Sequence, residues 1–240
     1  MLEIISLSKS FDGRQILHNI NIKVKEGEIY GFLGPNGAGK STTVKIMAGI
    51  YVQDSGNILI DGKDNRDIEV KKIIGYMPDE PYVYERLSAK EFLSFIADIY
   101  DIKDKDKKIK DALTLFDIDE DIDLKNPDLN IENLSRGSRQ KLVIAATLMH
   151  DPKILIIDEP LIGLDPKSVI QFQTILEDFS KNKGIIFLST HSLDIASKIC
   201  TRVGIINHGK IINEGTIDEL KDETKKNNLE DVFLKLTYEE

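Results

Sequence analysis

Ile29-Tyr30-Gly31-Phe32-Leu33 runs into Gly34-Pro35-Asn36-Gly37-Ala38-Gly39-Lys40-Ser41-Thr42, and a helical pattern follows from about Ser41 to Gly49. An apolar strand, a loop with the spacing G-x-x-x-x-G-K-[ST] and a helix, in that order, make a cradle for phosphate. The glycines let the backbone amides of the loop turn inward as an anion nest, and the amino end of the helix adds positive potential. Lys40 then reaches the β and γ phosphates of a nucleotide, Ser41 offers a hydroxyl to Mg²⁺, and Thr42 stands beside it as a further binding candidate.

Outward from this loop, Leu2 to Ile5 reads as a strand. The alternation Ile16, Leu17, Ile20, Ile22, Val24, with Asn19, Asn21, Lys23 and Lys25 on the other face, reads as a half-buried antiparallel one. Apolar runs predict buried strands at Ile58–Ile60, Ile73–Met77, Ile154–Ile157, Ile185–Leu188 and Val203–Ile206. Strands separated by helices imply an α/β fold with a mainly parallel, covered sheet. Between Met77 and Ile154 the pattern turns helical, as in an inserted helical lobe. Ser88-Ala-Lys-Glu91 is a capping box that opens one of its helices, with Phe92, Phe95, Ile96 and Ile99 as the expected apolar face. Asp101 to Lys110 alternates charge and suits a solvated helix or loop. Thr216 to Glu219 forms a second capping box, and Leu229, Val232, Phe233 and Leu236 fall at the spacing of a last docked helix.

The 240 residues suit one large domain or one domain with a sizeable lobe. Their 32 Lys+Arg against 41 Asp+Glu give a net charge of -9, which opposes broad attraction to nucleic acid or to an anionic leaflet. The longest apolar runs, such as Leu142–Ala146, fall far short of the roughly 20 residues of a membrane helix. The amino terminus MLEIISLSKS shows neither a basic leader nor a long apolar core, so no secretory signal is expected. Cys200 is the single cysteine; it excludes an internal disulfide and fits a reducing compartment.

Lys153 to Glu159 reads KILIIDE, an apolar strand ending in two carboxylates. Two acids there are costly unless something positive meets them. Asp158 is placed to hold Mg²⁺, directly or through water, and Glu159 to polarise an attacking water.

With Leu134-Ser135-Arg136-Gly137-Ser138-Arg139-Gln140 ahead of a helix, the chain resembles, over nearly its whole length, the nucleotide-binding subunits of ATP-binding cassette (ABC) transporters. The resemblance implies a P-loop NTPase core, with a mainly parallel sheet and an N-terminal antiparallel β subdomain, plus an inserted helical subdomain. Residues 1–84 and 151–225 would form the catalytic lobe, 85–150 the helical lobe that carries the signature, and 226–240 a docked C-terminal helix. ATP and Mg²⁺ are the implied cofactors. Ser135 and Gly137 would bind the γ-phosphate of an ATP held by a second subunit, identical or different, and Gly163-Leu164-Asp165 would cross that interface. His191 would contact the γ-phosphate or the water, and Phe11, where the family more often has Tyr, would stack on adenine. Three further departures stand out: Arg136 replaces a second glycine, Ser138 replaces Gln, and Asp79 replaces the Gln that senses Mg²⁺ and links the site to the membrane subunit.

The resemblance further implies a separate transmembrane permease and a peripheral place on the cytoplasmic face of the membrane. The ending Leu229 to Thr237 favours export. A cassette ATPase acting on nucleic acid would usually carry tandem cassettes or coiled-coil insertions, so no nucleic-acid partner is expected. A P-loop kinase or GTPase would have no use for LSRGSRQ.

Overall fold

A computed structural model describes residues 1–116, 130–161 and 163–238. Strands β1 (Leu2–Phe11) and β2 (Arg14–Val24) form a hairpin through Asp12-Gly13, both at positive φ (48° and 77°), as a tight two-residue turn requires. Strand β3 (Ile29–Leu33) leaves for a second sheet, while β4 (Ser55–Ile60) and the short β5 (Lys63–Asp64) complete the first in the order β2-β1-β4-β5, antiparallel throughout. The segment Ile58–Ile60 therefore belongs to the antiparallel layer. Irregular pairing accompanies positive φ at Ser6 (49°) and Asn19 (56°), and each switches which residues face inward. On β1 the buried set moves from Leu2 and Ile4 to Leu7; on β2 it moves from Leu17 to Ile20, Ile22 and Val24.

Helix α1 (Lys40–Met47) lies between the two sheets, its Val44, Ile46 and Met47 sharing a core with Leu2, Ile4 and Ile58 of the first and Ile154, Ile156 and Phe187 of the second, and α2 (Ile68–Lys71) adds Val70 to that core. After β6 (Ile74–Met77) come α3 (Ala89–Ile99), α4 (Lys105–Thr114) and α5 (Arg136–Leu148), before the chain re-enters the second sheet at β7 (Ile154–Asp158). Then follow α6 (Pro166–Lys181), β8 (Ile185–Thr190), α7 (Leu193–Ile199), β9 (Arg202–Asn207), β10 (Lys210–Gly215), α8 (Ile217–Thr224) and α9 (Leu229–Tyr238). The order of the second sheet is β10-β9-β3-β8-β7-β6, parallel except for the edge strand β10. Every residue of β3, β7 and β8 is buried, as a parallel sheet covered on both faces demands.

Both capping boxes form: Ser88 and Thr216 each accept from the amide three residues on and are answered by Glu91 and Glu219. On α3 the inward face is Ala89, Phe92, Leu93 and Ala97, whereas Phe95 and Ile99 are 39% and 58% exposed. The expected face is thus rotated. The helix buries the side that meets α4 and α5, and its remaining apolar residues lie on the surface. Leu229 and Val232 dock α9 against Leu33, Ala196, Val203, Ile205 and Leu220, with Phe233 and Leu236 half-buried beside them. Among the described residues no helix is long and apolar enough to cross a membrane.

Candidate nucleotide site

Parallel register brings the loop-bearing ends of three strands together. Leu33 of β3 lies beside Thr190 of β8, and Ser189 lies beside Asp158 of β7. The residues that follow are the glycine-rich loop, His191 and Glu159, so the sheet gathers them at its carboxyl edge, where ligands of open α/β sheets bind. In the loop, Gly37 and Gly39 hold φ of +79° and +109°. A Cβ on Gly34 would come within 2.4 Å of the Ile206 carbonyl oxygen, so close approach to β9 fixes glycine there. No side chain caps the start of α1, which leaves its first amides to the cradle. Lys40, only 7% exposed, donates from Nζ to the carbonyls of Gly34 (2.7 Å) and Pro35 (3.3 Å). Burial pushes its pKa down, and the charges of Glu159 and Asp158 work against that shift.

Asp158 is fully buried, and neither carboxylate oxygen completes a hydrogen bond. Burial drives its pKa up; the Ser189 and Ser41 hydroxyls nearby oppose this, and the charges of Asp79 and Glu159 add to it. A carboxylate in that position calls for a cation, and orphaned oxygens beside a serine hydroxyl form a donor set suited to a hard divalent ion. Glu159 sits at φ +48°, a left-handed conformation that costs a non-glycine residue about 1 kcal/mol or more. Its amide donates to the Ser189 carbonyl at 3.0 Å, its Oε1 lies 2.8 Å from His191 Nδ1, and its Oε2 accepts from Thr190 Oγ1 at 3.3 Å. The strained backbone and these contacts fix the direction of the carboxylate.

A cavity of about 520 Å³ is lined by Asn36, Gly37, Gly39, Lys40, Ser41 and Thr42 together with Phe11, Asp79, Glu159 and His191. Ile16 lines it as well, which the sequence reading missed. The signal was present: Ile16 and Leu17 are adjacent, only one can face inward, and Leu17 is the buried one. Thr190, which steadies Glu159, was also overlooked because a threonine closing an apolar run reads only as the end of a strand.

Ser135 and Gly137 do not line this cavity. Ser135 is exposed and caps α5, accepting from the Ser138 amide at 3.0 Å. Gly137 faces the loop after Glu159: a Cβ there would lie 2.7 Å from the Gly163 carbonyl oxygen, and the stem of Arg136 runs along Gly163. Gln140 donates to the Pro160 carbonyl at 3.0 Å, and Lys141 pairs with Asp165 at 3.4 Å. The start of the signature helix is therefore tied to the loop that follows the acidic strand end, and it presents Ser135 outward.

Comparison with known proteins agrees with this geometry. The family model for ABC transporters matches residues 17–162, more than half of the chain. The lantibiotic transport ATP-binding protein SrtF of Streptococcus pyogenes is 34% identical over 97% of this chain and 96% of its own. The SkfA peptide export ATP-binding protein SkfE of Bacillus subtilis is 32% identical over 94% and 93%. A solved ATP-binding subunit of an ABC transporter superposes with a TM-score of 0.88 at 27% identity, covering 98% of this chain and 99% of that one. The cbiO1 protein of Clostridium perfringens, part of the ABC transporter complex cbiONQ, gives 0.77 at 31% identity over 93% and 91%. The chain belongs to the ABC transporter family, and the chemistry of its cassette is ATP binding and hydrolysis.

Proposed function

We propose that this chain is the ATPase subunit of an exporter: two such subunits close head to tail on ATP and drive a separate membrane permease from its cytoplasmic face. The observation that carries the reading is the split site. Lys40, Asp79, Glu159 and His191 share one cavity, while Ser135 and Gly137 stand outside it with Ser135 exposed to solvent, as it must be to complete the cavity of another subunit. In this reading residues 1–84 with 151–225 form the catalytic lobe, 85–150 the lobe that presents the signature, and 226–240 the docked end; of these, 117–129, 162, 239 and 240 lie outside the described residues. The relative named for peptide export supports the direction of transport.

In this reading the loop amides of Asn36 to Gly39, with Lys40 and Thr42, hold the phosphates, and Phe11 stacks on the base. Ser41 and Asp158 would hold Mg²⁺, with Asp79 reaching it through water; the ion supplies charge neutralisation on the β and γ phosphates. Glu159 orients the attacking water and accepts its proton, and His191 keeps Glu159 in register.

A second cavity, of about 410 Å³, lies between the sheet edge and the helical segment, lined by Tyr76, Pro78, Tyr82, Phe92, Ile96 and Tyr100 among others. Exposed apolar rings extend it: Tyr82 is 79% exposed, and Tyr84 and Phe95 meet edge-on at 5.2 Å. Pro78 lines this groove and Asp79 lines the nucleotide cavity, so consecutive residues connect the two. A cytoplasmic segment of the permease seated here would register changes around Asp79. Tyr82→Glu with Phe95→Glu should leave ATP hydrolysis by the isolated chain unchanged and release it from membranes that contain the permease. Undiminished membrane retention of the double variant would rule out this docking face.

As a carboxylate, Asp79 accepts hydrogen bonds but cannot donate one, unlike Gln. Asp79→Ala should raise the Mg²⁺ concentration for half-maximal hydrolysis by about tenfold, the usual scale for a group that acts on a metal through water. Metal-free ATP binding should hardly change. Superimposable Mg²⁺ titrations for wild type, Asp79→Ala and Asp79→Gln would leave Asp79 as a turn residue only.

A further inference from the structure

Just beyond α1, Tyr51 meets Phe11, whose ring lines the nucleotide cavity. Its ring centroid is 5.5 Å from that of Phe11, at an interplanar angle of 69°. Phe11 is 40% exposed at the cavity rim, on the last residue of β1. A phenylalanine there would ordinarily turn freely about its side-chain bonds, and a freely turning ring loses that freedom when a base stacks on it. Here it is held. Lys9 Nζ stands 5.0 Å from the centre of the Phe11 ring, and Asp54 holds Lys9 at 2.8 Å. The other Asp54 oxygen accepts from the Ser10 amide, and the Asp54 amide donates to the Ser8 carbonyl.

Tyr51 is fixed in turn by α1. Its amide donates to the Lys45 carbonyl at 3.1 Å, and Lys45 Nζ lies 6.0 Å from its ring centre. That helix begins at Lys40, so one rigid element carries the phosphate-binding lysine at its amino end and the brace for Phe11 just past its carboxyl end.

We infer that Tyr51 is a positioning residue for the nucleotide base: with Lys9 it locks the Phe11 ring in one orientation and sets the distance between base platform and phosphate cradle. The inference rests on the reading of Phe11 as the base-stacking residue. Edge-to-face ring pairs of this kind favour one geometry, and the benefit appears as affinity only for ligands that carry a base.

Calorimetric titration with ATP and with inorganic tripolyphosphate tests it, using wild type, Tyr51→Ala, Tyr51→Phe, Phe11→Ala and the Phe11→Ala/Tyr51→Ala double variant. Tyr51→Ala should weaken ATP about three- to tenfold and leave tripolyphosphate unchanged, while Tyr51→Phe matches wild type. The double variant should bind ATP no more weakly than Phe11→Ala, since Tyr51 acts only through Phe11. If Phe11→Ala weakens ATP and Tyr51→Ala does not, or if the two losses add, the inference fails and base stacking stands. Equal loss of ATP and tripolyphosphate in Tyr51→Ala would also overturn it, by showing damage to α1. Unchanged ATP affinity in Phe11→Ala would overturn base stacking itself, and the role of Tyr51 with it.

Discussion

Lys40→Ala should abolish measurable ATP hydrolysis. Among the described residues lining the nucleotide cavity it is the only lysine or arginine, and three carboxylates, Asp79, Asp158 and Glu159, cluster around the same space. Without its charge, the β and γ phosphates would face that acidic cluster with a metal ion as the one remaining full positive charge among the groups assigned to the site, beside neutral amides and hydroxyls. Removing one fixed electrostatic contact from a preorganised site costs about a hundredfold or more in turnover. The variant also leaves the Gly34 and Pro35 carbonyls without their Lys40 donor. Thermal unfolding without nucleotide should accompany the assay, to separate a weakened loop from a lost charge. Turnover undiminished in a folded variant would remove Lys40 from the site.

Glu159→Gln should stop hydrolysis for a different reason and leave ATP bound. The amide oxygen of Gln can still accept from His191 Nδ1 or Thr190 Oγ1, so the local shape persists. It cannot take a proton from water, and loss of a positioned base lowers turnover by about 10² to 10⁴. Removing one of three clustered acids also reduces repulsion of the triphosphate, so ATP affinity should be equal to wild type or higher. Equilibrium binding and single-turnover hydrolysis measured on one sample would distinguish this result from a loss of binding.

The contrast between the two variants reflects what was legible in the sequence. The phosphate loop and the acidic strand end could be read directly because their chemistry is local: a strand, a fixed spacing and a helix suffice. Placement of strands was less legible. The irregularities at Ser6 and Asn19 reverse which residues face inward, and no periodic pattern announces such a reversal; Ile16, legible as a strand residue that packs on the core, also lines the cavity. Strand β10 went unread because it returns through His208-Gly209, both at positive φ, directly after β9, and its polar residues Asn213 and Glu214 interrupt any apolar run. The rotation of α3 is a tertiary decision. Either side of that helix offers apolar residues, and packing against α4 and α5 selects Phe92 and Leu93 over Phe95 and Ile99. What the sequence could not supply was the tie of Gly137 and Gln140 to the backbone of Gly163 and Pro160, which leaves Ser135 outside the cavity of its own chain.

That outward orientation is the basis of the central claim, that each ATP is held between Lys40 of one subunit and Ser135 of another. The direct measurement is the solution mass of Glu159→Gln in Mg-ATP, by light scattering on a sizing column, compared with Glu159→Gln/Ser135→Arg. The account predicts the mass of two chains for the first variant and of one chain for the second, with ATP still bound to the monomer, because a bulky cation at position 135 would block the neighbouring cavity and leave the chain's own untouched. A Glu159→Gln protein that binds ATP and keeps the mass of one chain at high protein concentration, or a double variant that pairs as readily as the single one, would contradict it.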